Sequence, residues 1–294
     1  MNFKNAITAL DFSTMDDSVI RYIRYWNSLF QLEKVYFMHI IKDLSHPKSV
    51  ELEFHKIFHP DSPLDEKLRH EMSQHVERLM PKTPDLETTY EVHEGSPVEK
   101  MLHWADVKNI DLVVFGRKKV SEGSGLTPRR MAHRLDTNIL FVPEKTKEPI
   151  RRVVVPLDYS EHSLRALETA LALQKRIPGL KIEGLHVIEM MPVDHYPANT
   201  AYQHYAKLMK EANEKAYLKM TEDKGIEEGT VEKVFVENTP HTVPKALNDH
   251  LRANPCDLVI IGAKGHSALR NFFFGSTTER FIDLYDESPV LIIR

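Results

Sequence analysis

Leu258-Val-Ile-Ile-Gly262-Ala-Lys-Gly265, then nine residues, then Gly275-Ser276-Thr277-Thr278-Glu279, is the stretch whose reading decides the fold. The apolar run reads as a buried strand. A helix is expected to open at Ser276. Glycines at a strand exit let a backbone turn tightly and approach a ligand. A third glycine beside a hydroxyl at a helix start offers free N–H groups at the positive end of a helix dipole. Together they form a candidate cradle for a nucleotide's phosphates. A second reading stands beside it: Ser276-Thr-Thr-Glu279 fits a capping box, with Ser276 as N-cap and Glu279 at N3.

Working outward, the chain repeats itself. Ala6-Ile-Thr-Ala-Leu-Asp11-Phe-Ser13 corresponds to Val153-Val-Val-Pro-Leu-Asp158-Tyr-Ser160, an offset of 147 residues. Val35-Tyr-Phe-Met-His39-Ile corresponds to Ile182-Glu-Gly-Leu-His186-Val, and Ile110 through Gly116 to Cys256 through Gly262. Asn138-Ile-Leu-Phe-Val142 corresponds to Pro289-Val-Leu-Ile-Ile293. A repeat this long signals a duplicated domain rather than a short-period solenoid. The expected domains are 1–146 and 150–294, joined by a charged segment between Pro143 and Pro149.

In the second half, apolar runs near 152–157, 181–188, 231–236, 257–262 and 290–293 alternate with helical patterns near 160–177, 200–224, 241–253 and 276–286. Ser160 is a candidate cap for the first helix and Pro178-Gly179 its stop. Five strands alternating with four helices imply an α/β fold: two tandem doubly wound domains, each with a mostly parallel sheet covered on both faces. The first half carries an extra stretch, roughly 42–60, after its second strand.

Composition narrows the class. With 41% hydrophobic and 28% charged residues over 294, the chain has the make-up of a soluble globular protein. No apolar run approaches the roughly 20 residues of a membrane helix, and Met1 through Ile7 lacks a signal-peptide pattern. The lone Cys256 fits a reducing cytoplasm and reads as a small core residue. The net charge is −4 and neither half is basic, so nucleic acid is not an expected partner.

In an open parallel sheet, ligands bind beyond the carboxyl ends of strands, where the winding reverses. Asp158 ends the first strand of the second half and Gly262 the fourth. If those strands are neighbours, the acid and the glycine loop face one crevice. Lys264 and Arg270 can neutralise phosphate charge there.

This constellation resembles the universal stress protein family, whose pattern is glycine, two residues, glycine, nine residues, then glycine and Ser/Thr. Gly262, Gly265, Gly275 and Ser276 match it without gaps, and Asp158 matches the family's acid after the first strand. The resemblance spans nearly the whole chain, twice, as in a tandem universal stress protein. It implies strand order 3-2-1-4-5 and ATP in the crevice, with Mg²⁺ as a candidate companion ion. It places Gly262, Lys264, Gly265, Gly275, Ser276 and Thr277 along the phosphates, Asp158 near the adenosine, and the backbone of Val187 at the adenine. It also implies pairing of domains through their last strands, Ile139–Val142 and Val290–Ile293, as a pseudo-symmetric pair within the chain, with a homodimer as a further option. The implied role is a cytoplasmic stress-response regulator. A weak ATPase or autophosphorylating enzyme acting at Ser276 or Thr277, and a nucleotide-free scaffold or small-ligand carrier, are the alternatives.

The first half departs from the pattern. Gly116-Arg-Lys-Lys119 lacks the second glycine, the span from Gly116 to Gly125 is four residues shorter than its counterpart, and Leu126 stands in place of Ser276. Asp11 is kept. A degenerate copy and a pocket altered for another ligand, rimmed by Lys118, Lys119, Arg129 and Arg130, both fit. One nucleotide per chain is therefore expected, held by the second half. Walker, dinucleotide-fingerprint and nucleophile-elbow patterns are missing. Asp158-Tyr-Ser-Glu161 replaces the Ser-Gly-Gly-rich loop of adenylating relatives. Glu51, His55 and His59, with His70, Glu71 and His75 just beyond, have metal-ligand spacing, but no cysteine or aspartate cluster joins them and an exposed polar face is the better reading, so no metal is expected there. His39 and His186 read as half-buried structural residues, and Phe272–Phe274 as packing beneath the loop or against the other domain rather than stacking on a base.

Overall fold

The computed structural model describes residues 3–41, 64–117, 134–191, 200–238, 241–265 and 275–294. The chain divides into two compact units, residues 2–144 and 145–294.

The first unit runs β1 (Asn5–Ala9), α1 (Thr14–Phe30), β2 (Lys34–Ile41), α2 (Leu64–Leu79), β3 (Glu87–Glu94), α3 (Pro97–Val107), β4 (Leu112–Arg117) and β5 (Asn138–Pro143). Its strands lie in the order β3-β2-β1-β4-β5, all parallel. The central strands are apolar without alternation because both faces are covered: Ile7, Phe37, Met38, Val113 and Leu140 are fully buried. The extra stretch expected near 42–60, with Glu51, His55 and His59, lies outside the described residues. So do Lys118, Lys119, Gly125, Leu126, Arg129 and Arg130.

The second unit repeats the plan: β6 (Arg152–Pro156), α4 (Glu161–Gln174), β7 (Lys181–Glu189), α5 (Thr200–Asp223), β8 (Val231–Asn238), α6 (Val243–Ala253), β9 (Leu258–Gly262), α7 (Ser276–Leu284) and β10 (Val290–Ile293). The order is β8-β7-β6-β9-β10, again all parallel. Each unit thus has the winding 3-2-1-4-5 that the family resemblance implies. Right-handed crossovers that reverse direction beside the first strand put helices on both faces.

Local chemistry accounts for the element ends. Ser160, extended at φ −71°, caps α4 by accepting from the Ser163 N–H at 3.4 Å. Pro244 occupies the first turn of α6, where its missing N–H costs nothing. Gly179 follows α4 at φ +80°, a conformation that favours glycine.

One buried ion network lies in the second unit. Glu183, in mid-β7, is 2% exposed. It takes charge-assisted hydrogen bonds from Arg152 of β6 and, at 2.9 Å, from His250 Nε2 of α6. Arg152 also donates to the carbonyls of Asn254 and Pro255 just beyond α6, both at 3.1 Å. Two strands and a helix are tied through one carboxylate.

Candidate functional site

Because β6 and β9 are neighbours, their carboxyl ends lie side by side at the point where the winding of the second unit reverses. Asp158 lies two residues past β6, and Gly262 closes β9. The Asp158 carboxylate accepts the Ser160 N–H through Oδ1 at 3.0 Å, which fixes the turn into α4. Its other oxygen rests on Gly265: a Cβ built at Gly265 would lie far inside van der Waals contact of Asp158 Oδ2.

The glycine loop is pinned at both ends. At its entry, Ser160 Oγ donates to the Lys264 carbonyl at 3.2 Å. At its exit, the Gly275 N–H donates to the Ala263 carbonyl at 2.8 Å, and Thr278 Oγ1 donates to the Gly262 carbonyl at 2.8 Å. Residues 266–274, including Arg270 and Phe272–Phe274, lie outside the described residues. Lys264 and Gly265 are half-buried, while Ser276 and Thr277 are exposed.

Two expectations are corrected. Ser276 is not the N-cap of α7. Gly275 is, at φ −79° and ψ 147°, and no side chain caps the helix. Gly275 already takes the extended cap conformation and its carbonyl accepts from the Glu279 N–H at 3.0 Å, so Ser276 falls into the first helical position. The consequence is local: a glycine at the cap has no side chain to offer the first N–H groups of α7. The second correction concerns the glycines. Gly262, Gly265 and Gly275 do not take positive φ, so none is required by a turn. Space requires Gly262 and Gly265 but not Gly275. A Cβ at Gly262 would meet the α4 backbone, 2.6 Å from His162 C and 2.8 Å from Ser163 N. A Cβ at Gly275 would find its nearest neighbours at 3.4 Å.

Val187 lies in β7, 9% exposed. Beside it, His186 stacks on Tyr159 with ring centroids 4.9 Å apart and planes at 23°. Tyr159 holds a left-handed φ of 63°, an uncommon state for an aromatic residue. Burial pushes its phenol well above the ordinary range. His162, at the start of α4, is held below its ordinary pKa by burial and by the charges of Arg165 and Lys264.

The first unit keeps part of this arrangement. Ser13 N–H donates to Asp11 Oδ1 at 3.1 Å, and Phe12 has φ 59° against His39. Where the second unit has Ser163, the first has Asp16, 3% exposed, which accepts the backbone N–H groups of Asp11 and Phe12 at 3.3 and 2.7 Å. A buried carboxylate therefore occupies the amides of the turn after β1. His75 bonds Asp17 at 2.6 Å and His70 bonds Gln74 at 2.9 Å. Among the described residues no three His, Cys, Asp or Glu side chains converge on a metal-sized point, and no helix is long and apolar enough to cross a membrane.

Sequence spacing did not reveal Ser160's second bond, Thr278, Tyr159 or Asp16. Only the histidine after an apolar strand run, present at the same offset in both halves, was a visible signal for His186.

With this geometry in view, residues 149–294 match the universal stress protein family. A universal stress protein of Methanocaldococcus jannaschii is 24% identical over 147 residues, covering 49% of this chain and 82% of that protein. The crystal structure of a universal stress protein from Archaeoglobus fulgidus is similar at a TM-score of 0.66 and 18% identity, covering 99% of this chain and 98% of that one. A functionally unknown protein from Pseudomonas aeruginosa is similar at 0.63 and 10%, covering 99% and 92%. Identities this low speak for a shared fold alone, whereas the family match rests on the sequence of the second unit. Residues 149–294 are a domain of the universal stress protein family.

Proposed function

We propose that the second unit binds an adenine nucleotide, ATP in its working form and with Mg²⁺ as companion, and that occupancy of this site makes the chain a nucleotide-responsive regulator of the stress response. One observation carries the reading. At the β6/β9 switch point, a carboxylate, a loop pinned at both ends and the start of a helix capped by a glycine come together. A helix start favours an anion by its N–H groups and dipole. In this reading Gly265, Gly275, Ser276 and Thr277 line the phosphates, with Lys264 supplying positive charge. Asp158 faces the nucleoside and Val187 offers its backbone to the base. Gly262 serves the site indirectly, by letting α4 lie against β9.

The first unit is read as a second copy of the same domain, making the chain a tandem protein with one nucleotide per chain. Asp16 places a negative charge on the amides of the turn after β1, beside Asp11. Mass spectrometry of small molecules released by denaturing purified protein, followed by titration of stripped protein with ATP, tests this. Saturation near one equivalent, abolished by Gly275→Val in a folded variant, is the expected result. Binding that survives Gly275→Val unchanged removes the assignment. ATP turnover above background, lost in Asp158→Ala, would favour an enzyme instead.

A further inference from the structure

The ladder between β6 and β7 stops one rung early, and a side chain stops it. Register pairs Pro156 with Leu185, and the Leu157 N–H donates to the Leu185 carbonyl at 2.8 Å. A parallel ladder continues by giving the Leu157 carbonyl the N–H of Val187. Here that carbonyl accepts instead from His186 Nδ1, at 2.6 Å. A carbonyl only accepts, so Nδ1 carries the proton. No bond from the Val187 N–H to the Leu157 carbonyl forms among the described residues, and β6 ends at Pro156. On the other side of β7, the Met190 N–H bonds the Asn238 carbonyl of β8. Alternation along a parallel strand then turns the N–H and C=O of Val187 toward the β6 side.

We infer that His186 is a positioning residue for base recognition: by occupying the Leu157 carbonyl, it keeps the Val187 amide available to a ligand. This rests on the adenine-nucleotide reading and adds to it a basis for selectivity. A strand edge with one free N–H and one free C=O is complementary to adenine, whose N1 accepts and whose 6-amino group donates. Hypoxanthine reverses both, with a proton on N1 and an oxygen at C6, and so sets donor against donor. Tyr159, stacked on the imidazole, holds the ring in place, and its left-handed φ takes the chain away from the ladder. The device occurs twice. In the first unit the Leu10 N–H donates to the Met38 carbonyl at 2.8 Å, His39 Nδ1 takes the Leu10 carbonyl at 2.8 Å, and Phe12 has the same backbone state as Tyr159.

The test compares ATP with inosine triphosphate on the full chain carrying His186, His186→Leu or His186→Asn, beside an NMR measurement of the through-hydrogen-bond coupling between the Val187 nitrogen and the Leu157 carbonyl carbon. The wild type should prefer ATP about ten-fold or more, the worth of one well-made hydrogen bond against a mismatched one. In His186→Leu that preference should collapse about ten-fold while the affinity for inosine triphosphate stays within about two-fold, and the coupling should appear. His186→Asn, whose amide N–H can reach the same carbonyl, should restore the preference. A role confined to stability would weaken both nucleotides alike. A Val187–Leu157 coupling already present in the wild type overturns the inference, and so does an ATP preference that survives His186→Leu. Failure of the wild type to bind either nucleotide overturns the nucleotide reading instead, and the coupling still decides what His186 does to the ladder.

Discussion

The Asp158 carboxylate stands in the space that any side chain at Gly265 would need. Two positions separated by 107 residues are thereby one structural unit. The family resemblance implies separate tasks for them, the nucleoside for Asp158 and the phosphates for Gly265. Their contact couples those tasks. Gly265→Ala should displace Asp158 Oδ2 and weaken adenosine as well as ATP, each by about ten-fold, the worth of a charge-assisted hydrogen bond. The fold should be little affected, because the displaced atom is the end of a side chain. In an Asp158→Ala background the same change should cost less than about two-fold, since the obstacle is gone. Calorimetric titration of the four proteins closes the cycle. Fully additive losses would mean that the two residues act independently.

The second prediction separates two glycines that occupy matching places. A methyl at Gly262 would press on the backbone at the start of α4, while one at Gly116 would meet the Met15 and Val19 side chains of α1. Side chains can change rotamer, whereas a helix must move bodily. Gly262→Ala should therefore cost about 1–3 kcal/mol, and Gly116→Ala clearly less. Urea denaturation followed by circular dichroism measures both. A larger loss for Gly116→Ala would show that the first unit tolerates crowding worse than its side-chain packing implies.

How much of this could be read from the chain alone follows from what kind of interaction each feature is. The strand–helix alternation was legible because it rests on apolar runs such as Leu258–Ile261 and on a duplicated pattern, whereas the 3-2-1-4-5 winding came only with the family resemblance. The glycines were visible but their reason was not. Gly262 answers to a helix 100 residues earlier, and nothing in its neighbourhood distinguishes that from a ligand's approach. Ser276-Thr-Thr-Glu279 satisfied a capping box, yet Gly275 one position earlier already had the extended backbone a cap requires. Asp16 looked like an ordinary acidic residue in a first helical turn, and only the folded structure shows it 3% exposed. Glu183 likewise sits in an apolar strand run, and its partners come from residues 152 and 250.

Those two buried carboxylates lead to pH predictions of opposite sign. For Glu183, burial alone would raise the carboxyl, but hydrogen bonds from His250 and Arg152 outweigh it and hold it below its ordinary range. A carboxyl held lower in the folded state contributes stability above its unfolded pKa and loses it as pH falls through the folded one. Glu183→Gln should cost about 2 kcal/mol at pH 7, because it leaves Arg152 and His250 without their anion. The deficit should shrink toward pH 3. Denaturant titrations of both proteins between pH 3 and 7 check this, and a deficit that does not change with pH would mean that the charge of Glu183 contributes nothing.

For Asp16 the balance runs the other way. Burial raises its carboxyl from 3.8 to about 6, the N–H of Asp11 lowers it, and the negative charge of Asp11 raises it again. The N–H of Phe12 and the neighbouring His75 from α2 provide smaller opposing contributions. The folded chain then binds a proton at Asp16 more tightly than the unfolded chain does. Between the two values the native state holds more protons, so stability falls as pH rises from about 4 to 6 and this contribution is flat above that. Asp16→Asn removes the ionisation while keeping a carbonyl oxygen for the Phe12 N–H, which is the shorter of the two bonds at 2.7 Å. The variant should match the wild type near pH 4 and exceed it by about 3 kcal/mol at pH 7.5. Ser163, the polar neutral residue at the same place in the second unit, is nature's version of that exchange. If Asp16→Asn is less stable than the wild type at pH 7.5, the ionised carboxylate is instead the better cap for the turn after β1, and the first unit has gained an acid there that stabilises its crevice.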